Sequence, residues 1–544
     1  MSAHFNLIDE LWIPCVPIGG GAVVERSILE VLTNASAYRE IYDNSPLVTV
    51  SLHRLLLAIL YRACGPRNLK EARALVRDGL PVGAIRSYLD KWHDWFDLFD
   101  EQHPFYQTAG LETGKLTAKK DCKEWTAGPV SIIRLANEAP DKNQPTLFDH
   151  RTYSDREAMP PAETARHLVA AQSYGICSSN SSDAMVDGEL LETPGCTNAP
   201  GVSNLWCWVS GDTVQATLLL NLVPFEQMGV AAWERDDSLQ TARRSWSERQ
   251  LPRGIADRYT WQTRMIRIVP DGTCGNVVAR AVFFTQGRSA AEYDDDPMCV
   301  YERKAPSDPW DTVSVRRDRA AWRDSHALLR SFGNVRRQPR AVEFVAQLLL
   351  DGAIASEDHT VNVVGLASGG KAAKFVLWRH DRLPASSSLL KEPDLVERLE
   401  RLMGDSERTG GGLVHACRVL CANYLTPEFD ELPEEKKRNL LKPNYRHPTD
   451  IDRLSQEIDP RRSYWARLEG CFYALLRELP KDKEAASEQW HKAVEQEARK
   501  AFDESANQLG QSARAIRARA LVRPRFDPRR PSAGNAHPTE EVSE

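Results

Sequence analysis

Residues 361–383 read VNVVGLASGGKAAKFVLWRHDRL, and two folds compete for them. Taken with the strand-like Val361–Val364, the run Gly365-Leu-Ala-Ser-Gly-Gly370-Lys371 matches the GxxxxGK opening of a phosphate-binding loop. Such a loop needs Ser or Thr next, to hold Mg²⁺, and then a helix whose N-terminus faces the phosphates. Here Ala372 follows, and Phe375-Val-Leu-Trp378 has the composition of a strand. A β-hairpin with a glycine-bearing, lysine-tipped turn fits both departures. A nucleotide-binding enzyme built on Gly365–Lys371 stays only as the alternative function.

Outward from the hairpin, residues 1–384 read as a mixed α/β domain. Helices are expected at 47–63, 69–78 and 85–99, and a further one opens at Pro161 and ends near Gly175, with Pro at a position where its missing N–H costs nothing. Strands are expected at 206–209, 214–223, 259–268, 277–285, 361–365 and 374–379. Two polar stretches, 140–160 and 177–201, read as long loops, which compact domains seldom keep without a use. From about residue 385 the character turns helical. Helices are expected near 389–403, 411–424 and 460–478. Trp490, Val494, Ala498, Phe502, Leu509, Ala513 and Ile516 then recur at helical spacing, marking a final one. The fold class is α+β: a large mixed N-terminal globular domain (1–384) followed by a C-terminal four-helix bundle (385–522). Residues 523–544, rich in Pro and poor in apolar side chains, read as a disordered tail.

The 544 residues carry a net charge of −6, with 42% hydrophobic and 27% charged side chains, ordinary for a globular chain. A protein that coats nucleic acid with its whole surface is usually basic, so any such contact here is local. The longest apolar runs, such as Leu218–Leu220 with their neighbours, fall short of the ~20 residues that span a bilayer. No secretory signal is visible at the N-terminus, and a cytoplasmic location is expected. The eleven cysteines include no CxxC pair. Cys417 and Cys421 stand one helical turn apart, and buried thiols are a better reading than zinc or disulfides.

Catalytic signatures are thin. There is no HExxH, GxSxG or strand-borne GxGxxG. Asp294-Asp295-Asp296 has the charge for a divalent ion, but adjacent residues point apart and charge runs are usually solvated. His380-Asp381 has the composition of a base and its orienting acid; a surface pair or turn is more common. No catalytic residue, metal or cofactor is assigned, and the chain is read as a binding protein and not an enzyme.

Several segments, in order, resemble one family. Phe5-Asn-Leu with Trp12-Ile-Pro14, Gly19–Gly21 and Ser27-Ile-Leu-Glu-Val-Leu32 is similar to its opening. His103-Pro-Phe-Tyr-Gln-Thr108 resembles its HPF-x-QT segment, and Thr146-Leu-Phe-Asp-His150 sits where it has a first nucleic-acid loop. Tyr259-Thr-Trp-Gln262 followed by Pro270 resembles its WQ segment, and Gly365 through Arg379-His380-Asp381-Arg-Leu383 resembles its wedge hairpin. The family is CasA, the large subunit of the type I-E CRISPR surveillance complex Cascade. The resemblance implies reading of the PAM, a short duplex tag, chiefly from the minor groove. It further implies duplex opening for crRNA pairing, and so R-loop formation. Implied partners are crRNA, PAM-bearing double-stranded DNA, the backbone, small and handle-binding Cascade subunits, and a helicase-nuclease recruited afterwards; no membrane is implied. In such systems sequence is read by guide pairing and protein reads the tag.

Residue by residue, the family's wedge triplet falls on Lys371, Ala372 and Ala373, with Gly369 and Gly370 beside it. This chain lacks the family's glutamine there, and its turn is about two residues longer. The groove-reading lysine falls nearest Arg280, with Arg288 as second choice; an ordinary sheet-surface arginine is an equal reading of Arg280. The glycine-rich loop falls within 177–201, with Gly195, Asn198 and Gly201 as candidates. Phe148 matches the aromatic of the handle-proximal loop, and anchoring of that loop is an equal reading. Some relatives carry a four-cysteine zinc site after WQ; this chain has only Cys274 there, so that metal is expected to be absent. A generic protein-interaction module is a third reading, and it leaves both long loops without a use.

Overall fold

The computed structural model describes residues 3–119, 122–138, 158–176, 183–191, 197–202, 204–235, 249–272, 276–291, 295–316, 319–331, 335–369 and 374–526. The chain divides into two compact units. One comprises residues up to Ala321 together with Ala327–Lys391; the other comprises Trp322–His326 and the chain from Glu392 onward.

The first unit is built around the helix Pro46–Cys64, in which Pro46 through Tyr61 are all buried. A helix apolar on every side belongs inside a core. It is the one described helix long and apolar enough to cross a membrane by length and composition, and 83% of that window is buried in protein. Its arginine, Arg54, is buried too, and is neutralised by Asp296 through Nη1–Oδ1 (3.1 Å) and Nη2–Oδ2 (2.8 Å). The guanidinium lies 3.9 Å from the ring centre of Trp206 and 4.1 Å from that of Tyr259.

The unit also holds several small antiparallel sheets. In one, His359–Gly369 lies between Leu205–Ser210 and Lys374–Ala385. In a second, Val278–Gln286 pairs with Arg264–Asp271 on one side and Val130–Ser131 on the other. A third runs Cys122–Ala127, Leu111–Lys119, Asp183–Val186, Glu189–Leu191. Leu111, Ala184, Val186, Leu191, Met265 and Phe283 form one apolar cluster between the second and third.

Three expectations need correction. Val214–Asn221 is a helix, not a strand. A short apolar run fits either element, and local capping decides: the Thr213 hydroxyl accepts from Ala216 N–H, while Asn221 bonds both backbone groups of Val209. Within 259–268, the helix Ile255–Tyr259 comes first and the strand starts at Arg264. The stretch 177–201 is not wholly irregular, since it holds the paired strands Asp183–Val186 and Glu189–Leu191.

The second unit is helical throughout. The two helices expected at 389–403 and 411–424 are largely one, Pro393–Leu425, preceded by the short Ser387–Lys391. The helix continues through Gly410, where a Cβ would sit 3.3 Å from both Tyr464 and Trp465. There the glycine permits close helix packing. Arg461–Glu478 and Lys483–Gln508 pack with it, and Trp490 donates its N–H to Leu402 O and Ser406 Oγ. The final stripe breaks at Gly510 (φ +78°), so Ala513–Val522 is a separate helix and Ile516 is exposed. These four longest helices make the bundle. Trp322, far upstream in sequence, packs on Trp465 and Phe472. The expected tail lies, from residue 527, outside the described residues.

Candidate nucleic-acid interface

The hairpin is a stiff two-stranded stem. His359–Gly369 and Lys374–Ala385 stay in register from His359↔Ala385 to Gly369↔Lys374, with one irregularity at Ala367/Ser368. Val361, Val363, Val364, Leu366, Phe375 and Leu383 are buried and root it in the core. From Lys374 the chain is a strand, and a phosphate-binding loop, which needs a helix there, is ruled out. The glycine that made the sequence look like one, Gly365, has another use: a Cβ would lie 2.2 Å from Val315 Cγ2 and 3.0 Å from Asn204 O. Gly370, Lys371, Ala372 and Ala373 lie outside the described residues.

His380 and Asp381 do not work as a base and its acid. Neighbours on a strand face opposite ways. His380 stacks on Trp208 at 5.7 Å and its Nε2 meets Asn362 Oδ1 at 3.2 Å, whereas Asp381 accepts from Ala321 N–H at 2.7 Å. Burial, then the Arg382 charge, pushes His380 down to about 4 against the opposing pull of Glu40. An unfolded imidazole protonates first as pH falls, so the stability His380 contributes is complete above about pH 6.5 and declines toward pH 4. His380→Phe, which keeps a ring on Trp208, should flatten the fall of the unfolding midpoint across that window. Equal slopes for the two proteins would show that His380 does not drive it.

Beside the hairpin, the stretch 197–202 ends at the middle strand, with Val202 bridged to Leu366. Its root was not foreseen from the sequence. Buried Arg264 donates from Nη2 to Gly175 O (2.7 Å) and Thr197 O (2.9 Å), so one guanidinium ties both ends of the 177–196 stretch. Its Nη1 reaches Gln286 Oε1 (2.8 Å), which also accepts from Thr197 N–H (3.0 Å). Ala199 N–H bonds Gly175 O, and Gly201 N–H bonds Ser173 O. Gly201, assigned from the resemblance to DNA contact, is buried: a Cβ would lie 2.6 Å from the Tyr174 ring and 2.8 Å from Ser173 O. Close packing explains that glycine, and the assignment is withdrawn. Asn198 is exposed beside it; Gly195 lies outside the described residues, as does Phe148.

Arg280 is half exposed on Val278–Gln286 and pairs with Asp271 (Nε–Oδ2 2.6 Å). It lies six residues along the strand from Gln286, about 20 Å at ~3.3 Å per residue. The strand thus carries the loop root at one end and Arg280 toward the other. Arg288 is ruled out as its substitute. It is buried, bonded to Asp257 (Nη1–Oδ1 2.8 Å) and stacked 3.6 Å from the Trp261 ring centre.

The motifs carrying the resemblance mostly build core. Trp12 Nε1 donates to Leu7 O, Gln107 bridges Leu98 O and Ile268 N–H, and Trp261 Nε1 donates to Arg288 O. Of the acidic run, Asp296 is buried against Arg54, while Asp295 meets Arg340 in a half-exposed pair. Cys417 and Cys421 are buried free thiols, and burial raises the pKa of both, Cys421 to about 11.

Antiparallel sheets followed in sequence by an all-helical unit match the fold of one class of solved proteins, the CRISPR-associated proteins. The family model described as CRISPR-associated protein Cse1 matches residues 6–501. CRISPR-associated protein CasA/Cse1 of Thermus thermophilus is 30% identical over 528 residues, 95% of each chain. The crystal structure of CasA from Thermus thermophilus superposes with a TM-score of 0.74 at 25% identity, covering 96% of this chain and 98% of that one. A chain in a structure described as a CRISPR RNA-guided surveillance complex shares the fold with a TM-score of 0.72 at 19% identity, covering 96% of this chain and 99% of that one. The chain belongs to the Cse1 (CasA) family.

Proposed function

We propose that this chain is the large subunit of a type I-E surveillance complex, Cascade, acting by binding and not by catalysis. It reads the PAM of double-stranded DNA from the minor groove and opens the neighbouring duplex so that crRNA pairs and an R-loop forms. Its partners are the crRNA, the backbone, small and handle-binding subunits, and the helicase-nuclease that follows, all in the cytoplasm. The observation that supports this reading best is the hairpin stem. Gly369↔Lys374 is its last registered pair, so Gly370–Ala373 span the end of a stem rooted in the core. Such a stem transmits force to a duplex without bending away. Phe148 stays with the handle-proximal loop in this reading, and Asn198 and Gly195 with the loop beside the hairpin. The domain division follows the family too, with residues 1–384 for the tag, 385–522 for docking and 523–544 as a tail.

Arg280 supplies the test. Its pair with Asp271 is exposed on both sides, and such pairs are worth only about 0–1 kcal/mol, so a DNA phosphate competes for the guanidinium. In the assembled complex, Arg280→Ala should weaken PAM-duplex binding and reduce the log–log salt slope by about 1. Binding unchanged across salt would remove Arg280 from the interface.

A further inference from the structure

Residues 436–449 of the helical unit read KKRNLLKPNYRHPT, with no carboxylate between Glu435 and Asp450. Lys437 pairs with Glu434 at 3.0 Å. Lys436, Arg438, Lys442 and Arg446 are exposed and, among the described residues, form no ion pair or side-chain hydrogen bond. Elsewhere in the unit cations are commonly paired, as Arg398 with Glu484, Arg499 with Glu495 and Arg523 with Asp503. Like charges gathered without counterions repel one another, and no gain within the unit offsets that.

Tyr445 stands among them, 85% exposed, the most exposed large apolar side chain of the described residues. Its loop is nevertheless well fastened. Arg418, from the 33-residue helix, donates to Leu441 O at 2.6 Å and also holds Asp452, so one guanidinium grips both flanks. Asn444 Oδ1 accepts from His447 N–H at 3.0 Å and braces the turn itself. A firmly held loop that presents an aromatic face amid unpaired cations has the two elements that bind unpaired nucleotides: a surface for base stacking and charge for phosphates. A duplex offers no free base face. An acidic protein surface offers charge without one.

We propose that the 436–447 segment binds a single strand of nucleic acid, one unpaired base stacking on Tyr445 and backbone phosphates meeting Lys442 and Arg446. The site lies in the helical unit and does not depend on the hairpin.

Fluorescence anisotropy of the full chain with labelled oligothymidylate, at rising salt, tests this. Tyr445→Ala should weaken binding about ten-fold and leave the salt slope unchanged, while Tyr445→Phe binds as the parent does. Lys442→Ala with Arg446→Ala should lower the slope by about 1.4, at ~0.7 per single-strand phosphate. These side chains are exposed, so melting should not change. The proposal falls if the parent binds no oligothymidylate at low salt, or if Tyr445→Ala binds as the parent does. Equal binding of polyglutamate, lost with the same substitutions, would overturn it in favour of an acidic protein partner.

Discussion

Deleting residues 369–372, or changing Lys371 to Glu, should leave the subunit folded and assembled while target opening on intact duplex drops on the order of a hundred-fold. Separating the first base step costs a few kcal/mol, which proteins commonly offset with an inserted side chain or backbone wedge, and about 3 kcal/mol corresponds to that factor. Two glycines let backbone approach DNA closely because no Cβ intervenes. In this proposal Lys371 then meets a phosphate of the displaced strand, and the small Ala372 and Ala373 enter the groove. The fold should survive because the buried anchors of the stem, Val361, Val363, Val364, Leu366, Phe375 and Leu383, lie outside the deletion. The informative comparison is a target already unpaired beside the PAM, which should lose far less. Equal losses on both substrates would reduce the hairpin to an electrostatic contact. No loss on either would move the opening device to the 177–201 stretch.

Arg264→Met should destabilise the first unit by about 3 kcal/mol or more. The substitution removes three bonds made by this one guanidinium, to the carbonyls of Gly175 and Thr197 and to Gln286 Oε1. Gly175 O and Gln286 Oε1 keep their bonds from the Ala199 and Thr197 N–H groups, but hydrogen bonds to a charged group are worth about 1.5–3 kcal/mol each. Both ends of the 177–196 stretch lose their tie, so limited proteolysis within it should accelerate along with a lower unfolding midpoint. Arg264→Lys should recover little, because an ammonium cannot reproduce the planar fork that spans two carbonyls. Gly175→Ala should also disturb the loop root, since its Cβ would lie 2.6 Å from Ala171 O and 3.0 Å from Arg264 Nε. If Arg264→Met melts as the parent and resists protease equally, the loop is held by its backbone bonds alone.

Periodicity and punctuation made much of the fold legible. The turn glycines and β-rich flanks of residues 361–383 gave away the hairpin, and the stripe from Trp490 to Phe502 gave away a bundle helix. Both signals are local, carried by backbone preference and by side chains on one face. Val214–Asn221 was misread because a short apolar run suits a strand or a buried helix equally. The Thr213 cap and the contact of Asn221 with Val209 decide it. The expected helices 389–403 and 411–424 are joined, and only the Tyr464 and Trp465 rings packed against Gly410 show why the helix continues there.

For the candidate site the division is sharper. Residue order alone led to the family, since the matching motifs specify the core through short-range bonds such as Trp12 with Leu7. Which polar residues face outward was not in the order of letters. Arg280 and Arg288 are eight positions apart and alike in type, yet one is half exposed and the other lies between Asp257 and Trp261. Gly201 was a candidate for DNA contact by resemblance and is a packing glycine beside Tyr174. Burial and pairing are set by partners distant in sequence, as Arg54 is by Asp296, and only the assembled chain brings such partners together. The sequence by itself therefore determined the hairpin, the helical end and the family. The tertiary structure alone decided which arginines are held in the core and which stand at the surface, within reach of a partner.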